Sequence, residues 1–415
     1  MPMAHEAEPL RSRPGIIACA CPDCALVQQL PPPRPNAVIE CVRCGSALSR
    51  PTIAGTAAPL AFSVAALILL LPAATMPLMS LVSFGVERTD WLPTGVEALW
   101  SGGFGTLAAV IFLLSIAIPF TYLGLLAGVL SATRLGFRAP LGRLFRWAVE
   151  LRPWAMTEVY LVGCCVGYTR LQDVGNVHID TGGWCLMATT LAVLLTGVTL
   201  DERAVWDALP FRVEPLRSGT TISCDTCDLL LDAERARSAC PRCGTTLHPR
   251  KPDTLRRTLA LVIAGFVLYL PANVLPVLSI ERFGHDQPNT ILSGVRELVS
   301  AGLWPLAIIV FAASILIPLM KLCGLSLMLV LTHWRSRRWL VGRTLMYRFI
   351  DFIGRWSSID LFMISILVAL VQFGALTRVR PESGAVAFAA VVVVTMFASR
   401  CFDPRVMWDA ADSTK

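Results

Sequence analysis

Cysteine spacing is the chemistry most readily read from this chain. Eight of the 14 cysteines form four Cys-x-x-Cys pairs: Cys21/Cys24, Cys41/Cys44, Cys224/Cys227 and Cys240/Cys243. Within each set the pairs are separated by short gaps of about 16 and 12 residues. A Cys-x-x-Cys turn supplies two thiolates, and a second turn completes a tetrahedron around one ion at about 2.3 Å. Gly45 and Gly244 follow two of the turns and permit the tight backbone that aims amides at sulfur. The spacing predicts two small ribbons, each holding one structural zinc ion. Rubredoxin-type iron competes, because it uses the same knuckle, and free or disulfide-bonded thiols are the third reading. Cys19 leaves the ligand register open, but Cys21-Pro22-Asp23-Cys24 has the form of the other knuckles. A closed four-thiolate site has no open coordination position, so catalysis at the ribbons is not expected. Cys164, Cys165, Cys185 and Cys323 sit in apolar runs and read as small buried hydrophobes.

A second kind of chemistry is ionic. Lys321 interrupts the apolar run Ile317-Pro318-Leu319-Met320-Lys321-Leu322. Lysine at mid-bilayer costs about 2.5–3.5 kcal/mol on insertion scales, so its ammonium needs a partner or a watery cavity. Asp360, in Trp356-Ser357-Ser358-Ile359-Asp360, is the candidate partner; simple snorkelling of Lys321 is the bland alternative. Asn273 and Glu158 complete the set of polar residues expected at membrane depth. Pro72/Pro77 and Pro271/Pro276 are expected to break or end their helices. No Walker loop, dinucleotide-binding glycine pattern, nucleophile elbow or His-Glu-x-x-His motif is present, and the histidines are scattered. An enzyme is therefore not expected.

The elements that must position these residues are membrane helices. The chain is 55% hydrophobic and 16% charged, and Phe104–Ala132 contains no charge. Such runs can cross roughly 30 Å of hydrocarbon. Internal repetition gives the register. Leu70-Leu71-Pro72-Ala73 recurs as Tyr269-Leu270-Pro271-Ala272, a shift of 271 − 72 = 199. Ser115-Ile116-Ala117-Ile118-Pro119 recurs at the same shift as Ser314-Ile315-Leu316-Ile317-Pro318. Further on the shift becomes 202, pairing Trp154 with Trp356 and Trp206 with Trp408. By this register Lys321 stands opposite Tyr122, Asp360 opposite Glu158 and Asn273 opposite Ala74, so the polar machinery is concentrated in the second half.

The expected fold is a polytopic α-helical membrane protein, a tandem repeat of a four-helix unit with a rubredoxin-like zinc ribbon before each copy. Its parts are a disordered tail (1–15), ribbon 1 (16–50), unit 1 (55–210), ribbon 2 (218–250) and unit 2 (255–410). Spans are expected near 58–82, 104–132, 154–170, 183–200, 258–281, 302–331, 357–376 and 384–400. No apolar h-region precedes the first cysteines, so no signal peptide is expected. The net charge of +7 belongs to short loops beside the spans, such as Arg134–Arg152 and Arg335–Arg355, rather than to a nucleic-acid surface. The positive-inside rule then puts those loops, both ribbons and both termini in the cytoplasm.

The paired knuckles, Leu270-Pro271-Ala272-Asn273, Ile317–Lys321, Gly354–Asp360 and Phe402-Asp403-Pro404-Arg405 resemble the motifs of the paraquat-inducible protein A (PqiA/LetA-like) family of bacterial inner-membrane proteins. The resemblance covers nearly the whole chain. Unit 1 departs from it at Ala74, Tyr122, Glu158 and Asp201-Glu202-Arg203, which lacks the proline of the Asp-Pro-Arg motif. The resemblance implies a component of intermembrane lipid transport, loading or unloading phospholipid or another lipid at the base of a periplasmic tunnel built by an MCE-domain partner. It further implies that Lys321, Asp360 and Asn273 line a lipid pocket or couple its motion to a gradient. A redox protein with iron in its knuckles and a membrane scaffold are the competing functions.

Overall fold

The computed structural model describes residues 17–31, 37–49, 55–83, 85–137, 140–172, 175–209, 221–282, 285–371 and 377–412. The expected disordered tail lies outside them. The first cysteine module is two hairpins, β1 (Ile17–Ala20) with β2 (Val27–Leu30) and β3 (Ile39–Glu40) with β4 (Ala47–Ser49). Unit 1 opens with α1 (Ala57–Thr75), which runs through Pro72 and then breaks into β5 (Met79–Ser83) and β6 (Val86–Asp90). There follow α2 (Thr94–Ser101), α3 (Gly105–Phe112), α4 (Ile118–Arg134), α5 (Leu141–Leu151), α6 (Thr157–Leu171), β7 (Asn176–Ile179), α7 (Thr181–Thr199) and α8 (Glu202–Ala208).

The second module has β8 (Thr221–Ser223) and β9 (Leu230–Asp232). Unit 2 repeats the order as α9 (Thr254–Val274), β10 (Leu278–Arg282), β11 (His285–Asn289), α10 (Ile291–Ser300), α11 (Trp304–Phe311), α12 (Ile317–His333), α13 (Leu340–Gly354), α14 (Ile359–Leu370), β12 (Thr377–Pro381), α15 (Ser383–Cys401) and α16 (Arg405–Asp412). Each unit carries a three-stranded antiparallel sheet at one end of its helices, in the orders β6-β5-β7 and β11-β10-β12. The sheets share a register: Met79 lies opposite Asp90, and Leu278 opposite Asn289.

The duplication extends to irregular backbone. α3 and α4 join through a π-helical turn at Leu113–Ala117, and α11 and α12 through one at Ala312–Leu316. Pro119 and Pro318 explain it, since neither has the N–H that would bond the carbonyl four residues earlier. Those carbonyls belong to Ser115 and Ser314, so a serine sits in each widened turn.

Seven helices among the described residues are long and apolar enough to cross a bilayer: Ala57–Thr75, Gly105–Arg134, Thr181–Thr199, Thr254–Val274, Trp304–His333, Leu340–Leu370 and Ser383–Cys401. The third expected span, 154–170, is a helix of only 15 residues, α6. At 1.5 Å per residue it reaches about 22 Å, short of the hydrocarbon thickness. Its counterpart α14 has 12 residues and is extended by α13 through a 3₁₀ turn. Both short helices pack together where the two units meet. Gly163 permits this, because a Cβ there would lie 3.0 Å from Phe362 Cβ. Helices shielded by other helices need not match the bilayer in length. The expected spans 58–82 and 258–281 also overran, since the chain turns into strands at Met79 and Leu278. A short apolar run fits either element.

The cysteine modules dock crosswise. Module 1 packs its thiols against Trp408 of α16, with Arg43 stacked 4.5 Å over that ring and 2.9 Å from Asp412. Arg348 of α13 pairs with Asp23 at 2.7 Å and donates to the carbonyls of Cys44 and Gly45. Module 2 packs on Phe145 and Trp206 of unit 1, and its Arg242 pairs with Asp207 at 2.8 Å. Each module therefore grips the unit it does not precede, and also touches the one it does, through Arg203 to Leu48 O at 3.2 Å and Arg405 to Asp225 at 2.7 Å.

Candidate functional site

The knuckles converge as metal sites do. Cys21, Cys24, Cys41 and Cys44 bring their sulfurs within 4.8 Å of one another, as do Cys224, Cys227, Cys240 and Cys243. Cross-pair Sγ separations are 3.5 Å (Cys21–Cys44), 3.6 Å (Cys24–Cys41), 3.5 Å (Cys224–Cys243) and 3.7 Å (Cys227–Cys240). A regular tetrahedron with metal–sulfur bonds of about 2.3 Å has edges of roughly 3.8 Å, so both sets fit one four-coordinate ion. Cys19 stands apart, its thiol donating to Ala20 O at 3.3 Å. Hydrogen bonds from the Cys24 thiol and from the amides of Asp23 and Cys24 hold the Cys21 thiol below its ordinary value, against the opposing effect of burial. A thiol so held gives up its proton readily to a metal.

Lys321 is fully buried on α12, 12 residues (333 − 321) and about 18 Å before that helix ends. Its Nζ donates to Gly354 O at 3.3 Å and to Thr395 Oγ1 at 3.2 Å. Thus α12, the end of α13 and α15 meet on one ammonium. The ion pair with Asp360 anticipated from the sequence is not made. Asp360 instead accepts from Ser314 Oγ, the serine of the π-helical turn. The two are offset along the helices: Lys321 meets Gly354 and Thr395, whereas Asp360, six residues beyond Gly354 (360 − 354), meets Ser314, seven residues before Lys321 (321 − 314).

Nor does the structure gather the other two expected residues around Lys321. Asn273 donates back to Tyr269 O in its own helix at 2.8 Å. Glu158 pairs with Arg355 at 3.0 Å, tying unit 1 to the turn that follows Gly354. The four residues therefore occupy separate places, two of them on either side of the Gly354–Arg355 turn.

Sequence reasoning missed Thr395, Ser314 and Arg170. Arg170, near the end of α6, approaches Asp360 across the junction of the units, and the two line a cavity of about 40 Å³ with Asn289 and Met363. Arg170 Nε and Asp360 Oδ1 are both buried without a hydrogen-bond partner among the described residues. A cavity of this size with two orphaned groups of opposite charge suits bridging water. The signals were faint: Thr395 is the polar residue after Val391-Val392-Val393-Val394, and Ser314 belongs to a repeated segment. Asp90, at the end of β6, is 1% exposed with both carboxylate oxygens unpartnered among the described residues. Burial pushes its carboxyl well above the usual carboxylate range. Its repeat counterpart, Asn289, lines the Arg170–Asp360 cavity.

Where the units meet beside the sheets lies a hollow of about 660 Å³. Its floor includes Ala98, Phe104, Val368 and Ala369, and its rim Arg88, Glu97, Arg380 and Glu382. Both units contribute to it.

Duplicated helical units, apolar enough to cross a bilayer repeatedly, with a buried cation and two four-cysteine ribbons at one end, define a multi-pass membrane protein with a pair of modules whose cysteine clusters have the geometry of a metal site. The profile of the family described as Paraquat-inducible protein A matches residues 56–210 and 255–412, and the chain belongs to that family. It is 32% identical over 400 residues to the intermembrane transport protein PqiA of Escherichia coli (strain K12), covering 94% of this chain and 95% of that protein. It is 29% identical over 397 residues to the lipophilic envelope-spanning tunnel protein A of the same strain, covering 95% and 91%. A probable intermembrane transport protein of Haemophilus influenzae is 26% identical over 387 residues, covering 92% of each. No solved structure matches the chain significantly.

Proposed function

We propose that this chain is the inner-membrane component of an intermembrane lipid transport system, carrying phospholipid or a related lipid rather than catalysing a reaction. The observation that carries the reading is the hollow at the junction of the units, with an apolar floor and a charged rim of both signs. Such a lining suits an amphiphile, acyl chain inward and headgroup at the rim. The relatives named as intermembrane transport and envelope-spanning tunnel proteins support the same reading. The sheets face the periplasm, where an MCE-domain tunnel protein would dock. Both ribbons and both termini lie in the cytoplasm, and each ribbon holds a zinc ion as a structural clamp. The domain boundaries follow: ribbons at 16–50 and 218–250, transmembrane units at 55–210 and 255–410.

Two polar stations serve the movement. One is Lys321 with Thr395 and Gly354 O; the other is Asp360 with Ser314 and Arg170 across the junction. Glu158–Arg355 links unit 1 to the turn between them. A cation that makes no ion pair among the described residues is easily displaced, which suits a group that changes partner as the pocket opens. Asn273, bonded within its own helix, belongs to neither station.

Reconstitution tests the reading. Proteoliposomes holding the purified chain and an MCE-domain partner should pass fluorescent phospholipid to acceptor protein faster than vesicles with either alone. Equal rates with and without the chain would refute it.

A further inference from the structure

At the opposite end of the helices from the hollow, module 2 and α5 border an open cavity of about 730 Å³. Arg143 and Arg146 of α5 and Arg242 of the second knuckle line it, together with Leu209, Pro241 and Gly244, and no acidic side chain does so among the described residues. We propose that this cavity binds a phosphate-bearing anion, the headgroup of an anionic phospholipid in the adjoining leaflet.

The arginines have spare donors. The Arg242 side chain is 9% exposed, and although its Nη2 pairs with Asp207, its buried Nε has no hydrogen-bond partner among the described residues. The same holds for Arg146 Nε, whose only ion pair there is a loose 3.8 Å contact with Glu150. Arg143 makes no ion pair among the described residues and lies against Gly244. Guanidinium groups with unpaired donors around one cavity are the usual recognition set for phosphate oxygens.

The repeat supplies an internal control. Arg146 stands opposite Arg348 (348 − 146 = 202), and Arg242 opposite Arg43 (242 − 43 = 199). In the other copy Arg348 is neutralised by Asp23, the residue before the second cysteine of its knuckle. Module 2 has Thr226 at that place, and Arg143 stands where the other copy has Leu345. On one scaffold, then, one copy closes its arginine with a carboxylate, and the other removes the carboxylate and adds an arginine. The lipid source follows from the surroundings. Leu144 and Trp147 on the outer face of α5 are 40% and 50% exposed, an apolar face suited to the membrane interface beside the cavity.

The test titrates purified full-length protein with dihexanoyl phosphatidylglycerol, dihexanoyl phosphatidylcholine or inorganic phosphate and follows thermal unfolding. Wild type should be stabilised by phosphatidylglycerol at a half-saturating concentration at least tenfold below that for phosphatidylcholine or inorganic phosphate. Arg143→Gln/Arg146→Gln should raise that concentration at least tenfold. Thr226→Asp, which restores the carboxylate of the other copy, should do the same and carries the test if the double variant fails to accumulate. If inorganic phosphate matches phosphatidylglycerol and the variants weaken both, the occupant is free phosphate and the lipid assignment is overturned. If no variant changes any titration, the site itself is overturned. Lipid transfer through the hollow is a separate readout, so failure here leaves the transport reading standing.

Discussion

Replacing Lys321 by methionine separates the role of the charge from that of the packing. A lysine at membrane depth costs about 2.5–3.5 kcal/mol. Against this, each hydrogen bond from a charged donor returns about 1.5 kcal/mol at the weak end of its range, which suits the observed 3.2 and 3.3 Å separations. Two such bonds offset most of the cost. Their loss orphans nothing, because Thr395 Oγ1 still donates to Val392 O at 3.0 Å and Gly354 O still accepts from Ser357 Oγ at 2.9 Å. Methionine also fills much of the lysine volume, whereas alanine would leave a cavity costing about 2–5 kcal/mol. Lys321→Met should therefore accumulate normally and unfold within about 1 kcal/mol of wild type. It should nevertheless fail to restore the permeability barrier in a strain lacking this transport system. Gly354→Ala should give an intermediate defect, since its Cβ would sit 2.9 Å from Lys321 Cε and 3.0 Å from Nζ. Full restoration by Lys321→Met would show that the cation is dispensable; loss of the folded protein would show that the cation is structural.

Metal analysis of the purified chain should find about two zinc ions and no visible iron absorption, and Cys44→Ser should remove one of them. Asp90→Asn should change how stability depends on pH. A carboxyl raised by burial favours the folded state most at low pH, and that advantage fades as pH rises through its folded value. Wild type should accordingly lose stability between mildly acidic and alkaline pH, and Asp90→Asn should lose less, as judged by thermal unfolding. Arg170→Gln and Asp360→Asn should each impair transport, with the double variant no worse than the poorer single one, because they share one cavity. Additive defects in complementation would show that the two act apart.

Much of this fold could be read from the sequence because duplication leaves its mark on residue spacing. The register that paired Ser115 with Ser314 also located two π-helical turns in equivalent places. The four-thiolate sets were legible because a Cys-x-x-Cys turn fixes its own geometry. The partners of Lys321 were not. Spacing along one helix says nothing about how that helix is rotated against its neighbours, and Thr395 lies 74 residues further on. Asp360 matched Lys321 by expected membrane level, yet it bonds Ser314, seven residues earlier (321 − 314) on the helical run that carries Lys321. The crosswise docking was equally hidden, since adjacency in sequence suggests that each ribbon sits on the unit it precedes. Arg348–Asp23 and Arg242–Asp207 are contacts of the opposite kind, each joining a ribbon to the other unit. The strands after Met79 and Leu278 were read as helix because short apolar runs carry no decisive period.

A chain that carries lipid in this way must hold lipid in the hollow where the two units meet. A photoreactive amino acid placed at Phe104 or Val368, both lining that hollow, tests it directly after irradiation in native membranes and mass analysis of the purified chain. A phospholipid adduct is expected at both positions, one that the same probe at the outward-facing Val198 does not exceed and that falls when Lys321 is replaced by methionine. Adducts confined to Val198, with none at Phe104 or Val368, would contradict it.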